Sequence, residues 1–438
     1  MRVFIIVATV LIGFIMLSAC EDKTCEPEVV VVDCPVPEEP EVPEVPEEPE
    51  IPVPPVVASF YVAPNGLDSN AGSITKPFKT LEAAGKKAKP GDTILVRGGV
   101  YPGQRFRDIS GTAGKPITFK AYPGEKPIFD GRHGVFEKIV FLVYGNVNYV
   151  TFDGLTVTDS GENLKAARKL DLTKEADALI FQSKHLPLIN RGIRVSPKDG
   201  ATTTDITFRN MTVHTTGDMA FSINDRVANV TVEDSLVYDV GYPMGYGIYY
   251  HGNGLIFRRN VIRDTVYAMH IYDKSSNMTV APIIEGNHFS NVGMGSYWHV
   301  SSRRVKTGGG GILVDDPGSG AIIRNNIIHN CGFGINASLP NAKVYNNLVY
   351  DCRSSISVSD TGVEVINNVT DKPYTLTVQP KVQGGAVISS SVKLVDEKDA
   401  SKGVTGKEIL KGKGAVSPAT HDFNGVKRSG NDVGPFEI

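Results

Sequence analysis

The chain has 438 residues, a formal net charge of −3, 45 glycines and a single Trp. That is enough length for one long solenoid or two ordinary domains, and the glycine content with so little helical periodicity argues against a mainly helical fold. No phosphate loop, zinc spacing, serine-nucleophile elbow or nucleic-acid motif is visible, so those function classes have no support and no nucleic-acid partner is expected.

The N-terminus places one basic residue, Arg2, before an apolar run that ends in Leu17-Ser-Ala-Cys20. This pattern predicts a secretion signal over residues 1–20 rather than a retained span. Leu-Ser-Ala-Cys resembles the lipobox of bacterial lipoproteins, which implies cleavage before Cys20 and lipidation of that residue. The expected location is the bacterial cell envelope, with the membrane reached through the lipid anchor only. Residues 21–57 form a Pro/Glu-rich linker with no core-forming pattern. Proline and like charges keep such a segment extended, so it reads as a stalk. Cys25 and Cys34 lie in it and are free to pair in an oxidising compartment.

The first 50 residues hold two basic and twelve acidic side chains, which leaves a net of +7 on the remainder. A basic body suits an acidic partner, although a modest excess on a solvated surface is the commoner reason for such a balance.

The body, residues 58–438, opens with Phe60-Tyr-Val-Ala-Pro-Asn-Gly, a short amphipathic helix after Lys76-Pro-Phe-Lys-Thr, and a first strand near residues 93–101. A solenoid needs a cap over its first rung, and this helix is the predicted one. Residues 61–101, with Ile117-Thr-Phe-Lys-Ala-Tyr-Pro-Gly-Glu-Lys-Pro-Ile-Phe-Asp-Gly131, resemble the opening of secreted right-handed parallel β-helix proteins, among them family 9 pectate lyases. The resemblance covers about the first fifth of the body and implies the fold. Those lyases carry a lysine base in an Asp-Gly-Phe-Ala-Ala-Lys type of motif and a calcium-binding Asp-Asp-Gly-Trp-Asp. Neither string is present, so no catalytic residue carries over.

Further along, one frame recurs: Phe152-Asp-Gly-Leu, Phe208-Arg-Asn-Met, Val232-Glu-Asp-Ser, Phe257-Arg-Arg-Asn, Ile284-Glu-Gly-Asn, Ile323-Arg-Asn-Asn, Val344-Tyr-Asn-Asn and Val365-Ile-Asn-Asn. Alternating apolar residues in a short repeat predict an all-β fold, a single right-handed parallel β-helix with an N-terminal helical cap and one coil per repeat. Asn260, Asn287, Asn326, Asn347 and Asn368 share the fourth place. Asn tolerates left-handed backbone in turns, so these amides are predicted to stack as a ladder inside the turn. A second strand aligns as Phe221-Ser-Ile-Asn, Ile248-Tyr-Tyr-His, Met269-His-Ile-Tyr, Ile312-Leu-Val-Asp, Ile335-Asn-Ala-Ser and Ile356-Ser-Val-Ser. Cys331 and Cys352 share an interior column with Thr216, Val240, Thr265 and Val292, and two stacked free thiols are expected rather than a disulfide. Insertions interrupt the rungs at about 159–204 and 291–310, and the chain is expected to close with a segment laid along the solenoid.

The aligned strands place Tyr249, His251, His270, Tyr272, Asp273 and Lys274 on one outer face. Rungs are about 4.8 Å apart, so these side chains fall within one side-chain reach. Arg226 and a loop with Trp298, Arg303, Arg304 and Lys306 flank them. Cleavage of an acidic polysaccharide by β-elimination needs a base, an acid for the leaving oxygen and a neutraliser for the uronate carboxylate. Lys274, His270, Tyr249, Tyr272 and His251 are the candidate catalytic groups. Arg226, Trp298, Arg303, Arg304 and Lys306 are the candidate substrate-binding groups, and Asp273, Asp315 and Asp316 the candidate ligands of a calcium ion. A non-catalytic glycan-binding or adhesion protein on the same scaffold is the second reading, and hydrolysis, the third, would instead use two opposed carboxylates, Asp315-Asp316 with Asp273 or Asp225. The protein is read as a monomer acting on an acidic polysaccharide.

The lipobox reading has a direct check. Cys20→Ala should release the protein from membranes or stall its processing. A variant that stays membrane-bound with an unchanged mature N-terminus would remove the anchor.

Overall fold

The computed structural model describes residues 57–438 apart from 172–173, 186–189, 199, 242–244, 273–277, 294–295, 300–303, 316–319, 339, 379–380, 384–386, 389–393, 395, 397–399, 406–420, 429–433 and 437–438. For 296–299, 304–307, 381–383, 387–388 and 401 it describes the backbone alone. The signal, the linker, Cys20, Cys25 and Cys34 therefore lie outside the described residues.

Parallel strands stack into the rungs of a right-handed β-helix, the hand that nearly all parallel crossovers take. Each rung has three strands. One rung runs Val227–Glu233, Leu236–Val240 and Tyr246–Tyr250, and the next Asn253–Arg258, Val261–Thr265 and Tyr267–Tyr272. The first strands form a 12-stranded sheet. The second and third strands join in a 19-stranded sheet, because Ile327–Ala337 and Leu348–Val358 each run through the corner between them. The strand aligned from sequence as the second is the third of three, since the repeated frame itself bends at its asparagine.

Inward residues stack in register. Phe119, Phe152 and Phe208 share one column, with ring centroids 5.6 and 5.4 Å apart, and Val232 and Phe257 continue it. Helix α1 (Leu81–Lys87) caps the first rungs. Thr80 accepts a hydrogen bond from the Ala83 N–H, and Leu81, Ala84 and Gly85 face the core. At the other end, Leu394, Ala400, Val404 and Phe436 pack with Ile327, Leu348, Tyr350 and Val369, so the closing segment lies along the outside of the second strands.

The predicted ladder is present. Asn260 Nδ2 donates to Asn287 Oδ1, Asn287 to Asn326, Asn326 to Asn347 and Asn347 to Asn368, at 2.9–3.1 Å. Each Oδ1 also accepts the backbone N–H of the preceding ladder residue. Ser235 extends the series, its N–H donating to Asn260 Oδ1 and its hydroxyl accepting from the Met211 N–H. The left-handed backbone, however, belongs to the residue before each ladder member: Asp234, Arg259, Gly286, Asn325, Asn346 and Asn367 have φ of 53–63°. The ladder asparagine is spent on hydrogen bonds, and its predecessor turns the corner.

The cysteine expectation is overturned. Cys331 and Cys352 do share an interior column with Val292 and Thr265, but they are bonded to each other. The register that stacks them brings their Cα atoms to 4.4 Å, at the near edge of the range a disulfide spans. Stacking within one column favours the bond rather than arguing against it.

The rungs also resume earlier than the sequence suggested. Arg191–Ser196 and Thr203–Arg209 are rung strands, so the first excursion ends near residue 190. It carries α2 (Glu162–Ala167) and α3 (Glu175–Ile180). The second excursion contains an antiparallel hairpin, Ser296–His299 with Arg304–Thr307.

Asn326→Leu or Asn347→Leu should lower the melting temperature clearly, because each leaves buried turn groups without partners at about 1–3 kcal/mol apiece. Asn424→Leu, in the closing segment, serves as the control. Equal melting of all three would show that the ladder bears no load.

Candidate functional site

The third strands of successive rungs build one outer face. Pairing places Arg105, Leu142, Arg194, Ser222, Tyr249, His270, Leu313 and Asn336 in a single outward column. Tyr272 and Asp315 pair in the next column. A third column runs Met219, Tyr246, Tyr267, Gly310 and Phe333. The alternation of each strand sets this arrangement: Ile248, Tyr250, Met269 and Ile271 point into the core, so their neighbours point out.

Tyr249, His251, His270 and Tyr272 meet here. Ring centroids lie 5.1 Å apart for Tyr249 and His270, 4.4 Å for Tyr249 and His251, 5.5 Å for His251 and Tyr272, and 5.6 Å for His270 and Tyr272. Tyr246 joins at 5.0 Å from Tyr249 and 5.6 Å from His270, and stacks on Tyr267 at 5.0 Å. His270 Nε2 lies 2.8 Å from Asp315 Oδ1. Its side chain is 13% exposed against 38% for Asp315, so the carboxylate faces water and the imidazole sits low in the face. The other ring nitrogen, Nδ1, is buried with no hydrogen-bond partner among the described residues.

Arg191, Arg194 and Asp218 complete the cluster, and sequence reasoning missed all three. Arg191 Nε donates to Asp218 Oδ2 at 2.8 Å. Arg194 Nε donates to Asn224 Oδ1 at 3.4 Å. Ile193-Arg-Val-Ser fits the frame of Phe221-Ser-Ile-Asn, which was the available signal. The neighbouring insertion hid it. Asp218 and Tyr246 sit just outside the four residues used for alignment.

Charges here are perturbed in consistent directions. Burial pushes the Tyr249 phenol above its ordinary value, and Tyr272, Asp315 and Asp218 add to this against Arg191. Burial also raises the Asp218 carboxyl, opposed by Arg191. Burial lowers Arg194, and repulsion from Arg191 adds to it, while Glu137 opposes. A desolvated cation next to a second cation favours an incoming anion.

Several candidates fall elsewhere. Arg226 occupies the turn that leaves the face, in left-handed backbone at φ 61°. Trp298, Arg304 and Lys306 are placed only as backbone of the hairpin, where Trp298 pairs Val305 and Lys306 pairs Tyr297. Asp273, Lys274, Arg303 and Asp316 lie outside the described residues. Of the candidate calcium ligands only Asp315 is among the described residues, and it gives one oxygen to His270.

The chain resembles known proteins over part of its length. Residues 60–260 match the family model of the Pel9A-like right-handed β-helix region. An uncharacterized protein of Bacillus subtilis, YwoF, is 30% identical over 145 residues, 32% of this chain and 30% of that protein. Pectate lyase PEL9 of Emericella nidulans is 41% identical over 78 residues, 17% of this chain and 19% of that one. The matched stretches thus span less than a third of either curated relative. Among solved structures, pectate lyase Pel9A superposes with a TM-score of 0.57 at 20% identity, covering 86% of this chain and 96% of that one. A rhamnogalacturonan lyase superposes with 0.55 at 15% identity and the same coverage. At these identities the structural likeness is one of fold.

Proposed function

We propose that this pectate-lyase-like right-handed parallel β-helix is a polysaccharide lyase that cleaves a uronate-containing chain by β-elimination on the face of Tyr249 and His270. We further propose that a lipid on Cys20 and the Pro/Glu stalk hold it at the bacterial cell envelope. The observation that carries the enzymatic reading is a carboxylate-held imidazole and a phenol kept protonated on adjacent rungs, with Arg191 and Arg194 on the same face two rungs before Tyr249.

The chemistry follows from the parts. Arg191, near enough to bear on Tyr249, takes the uronate carboxylate, and Arg194 takes a carboxylate further along the polymer. Neutralising that first charge makes the proton on the adjacent ring carbon more acidic. His270 accepts the proton at Nδ1, the ring nitrogen with no partner among the described residues, and Asp315 at 2.8 Å from Nε2 stabilises the imidazolium that forms. The electron pair left on carbon becomes the ring double bond and expels the glycosidic oxygen. Tyr249 supplies the proton to that oxygen, and its raised pKa keeps the donor in place at alkaline pH. Lys274, two residues past Tyr272, is the second candidate for the base. The arginines do the neutralising, and no step runs through calcium.

A hydrolase is the second reading, because Asp218 and Asp315 both bear on Tyr249 and burial raises the Asp218 carboxyl as a general acid requires.

With polygalacturonate or another uronate polymer, wild type should release products with the unsaturated-uronate absorbance. His270→Ala or Lys274→Ala should lose turnover by about a hundredfold, the size of a general acid–base contribution. Melting temperature should hold. Arg194→Ala should weaken substrate binding and reduce its sensitivity to salt. Activity should survive a chelator, and loss restored by added calcium would overturn the role given to the arginines. New reducing ends without the chromophore, abolished by Asp218→Asn, would favour the hydrolase. Binding without any product would leave a glycan-binding protein.

The alkaline limb gives a separate check. A phenol with a raised pKa stays protonated to higher pH, so activity should persist beyond pH ~10, where an ordinary tyrosine ionises. Tyr249→Phe should lose most turnover and abolish that limb. An unchanged profile in this variant would remove Tyr249 as the acid.

A further inference from the structure

The outer surface of the 12-stranded sheet carries a groove of about 500 Å³, on strands other than those of the Tyr249 face. Thr151, Thr207 and Thr231 stand in one register column along its floor. Rung stacking repeats their hydroxyls at about 4.8 Å. The column continues as Ile256 and Ile283, and with Pro116 and Val280, the last 52% exposed, these make an apolar wall at one end. Asn253 Oδ1 accepts the N–H groups of Thr279 and Val280 at 3.0 and 2.8 Å, which pins Val280 at the rim.

A stack of left-handed kinks shapes the groove. Asn148 pairs with Thr204 and Val150 with Ile206, while Tyr149 and Asp205 between them, opposite each other, drop out of the pairing. Asn229 does the same one rung on. All three have left-handed backbone, at φ 53°, 57° and 53°, and Gly254 continues the column at 73°. Each such residue kinks its strand, and four in register kink the sheet along one line. Asp, Asn and Gly adopt this conformation readily. Tyrosine does not, and its presence stores strain where a smaller residue would serve the kink as well. Backbone strain held by a bulky residue that lines a groove points to use of its side chain.

We propose that this groove is a second glycan-binding site, for an uncharged polysaccharide chain that lies across the rungs. A sugar ring presents hydroxyls at its edge and C–H groups on its faces. The threonine floor, with Asn229 and Asp205, meets the first, and Tyr149 with the apolar wall meets the second. None of the lining residues is basic, and Asp205, bonded to Thr204 and Asn229, is the acid among them. A uronate chain would find an anion here and no cation. The site therefore differs in ligand class from the Tyr249 face and does not depend on the lyase reading.

Native electrophoresis of the full chain in gels containing arabinoxylan, xyloglucan or galactomannan tests this. At least one of the three should retard the wild type. Tyr149→Gly should weaken that retention about tenfold, a loss equal to one aromatic stacking contact. Its melting temperature should not fall, because glycine also relieves the left-handed strain. Thr207→Val, nearly isosteric, should weaken retention without altering melting. Turnover of soluble uronate polymer should be unchanged in both variants. Wild type unaffected by all three polymers would overturn the proposal. So would unchanged retention in Tyr149→Gly, or loss of uronate turnover in that variant, which would join the groove to the Tyr249 face.

Discussion

An amide in each turn fixes the register of the rung that follows, and every other placement in this molecule depends on that register. The side chain of one asparagine donates to the next, and its oxygen holds the previous turn's N–H. Both groups would otherwise be buried without partners, which a turn inside a solenoid cannot tolerate. A rung displaced by one residue would lose the bond and invert every side chain of its strands. The ladder is thus a register device as much as a source of stability. It starts at Ser235, where the turn column changes from Met211 to a hydroxyl. N-terminal to it the stacked phenylalanine column fills the interior instead.

Register turns a linear pattern into a face. Tyr249 and His270 touch only because Ile248 and Met269 are paired and point inward. Asp315 reaches His270 across a chain separation of 45 residues. That same column carries Arg194 three rungs from His270, so the groups proposed to attract the anion and to transfer protons lie along one line parallel to the solenoid axis. A polymer laid on this line would meet the groups in turn.

The fold was legible in the sequence because the repeat is explicit, down to the partners in the third strand and the interior column of Cys331 and Cys352. What the repeat did not carry was chemistry between columns. The disulfide needed a distance, and a shared column was taken for simple stacking until that distance came out at 4.4 Å. The left-handed residue was misplaced by one, since Asn occupies both the third and fourth places in Ile323-Arg-Asn-Asn and its two successors. Arg259 and Asp234 at the same third place separate the roles: they turn the corner without entering the ladder. Of the site, the aromatic and imidazole groups were legible from alternation. Arg191, Arg194 and Asp218 were not, because an irregular stretch adjoins them and irregular sequence carries no period to align.

Charge gives the sharper lesson. The body's net of +7 suggests an acidic partner, yet a full column of its basic groups is already paired. Down the 12-stranded sheet the outward column runs Lys120, Asp153, Arg209, Glu233, Arg258, Glu285, Arg324, alternating in sign at every rung. Neighbours pair at 2.6–3.6 Å, so that charge is internally balanced. Alternation of this kind keeps identical rungs from repelling one another and does not recruit ligand. The arginines of the Tyr249 face are placed differently. Arg191 shares its charge with an acid that burial itself discourages from ionising, and Arg194 has a neutral amide. A desolvated Arg194 beside Arg191, with only an amide as partner, is costly, whereas the basic column of the 12-stranded sheet is paired with acids. On the proposed reading a uronate carboxylate offsets that cost, and these two positions, rather than the net charge, are the part of the electrostatics that bears on it.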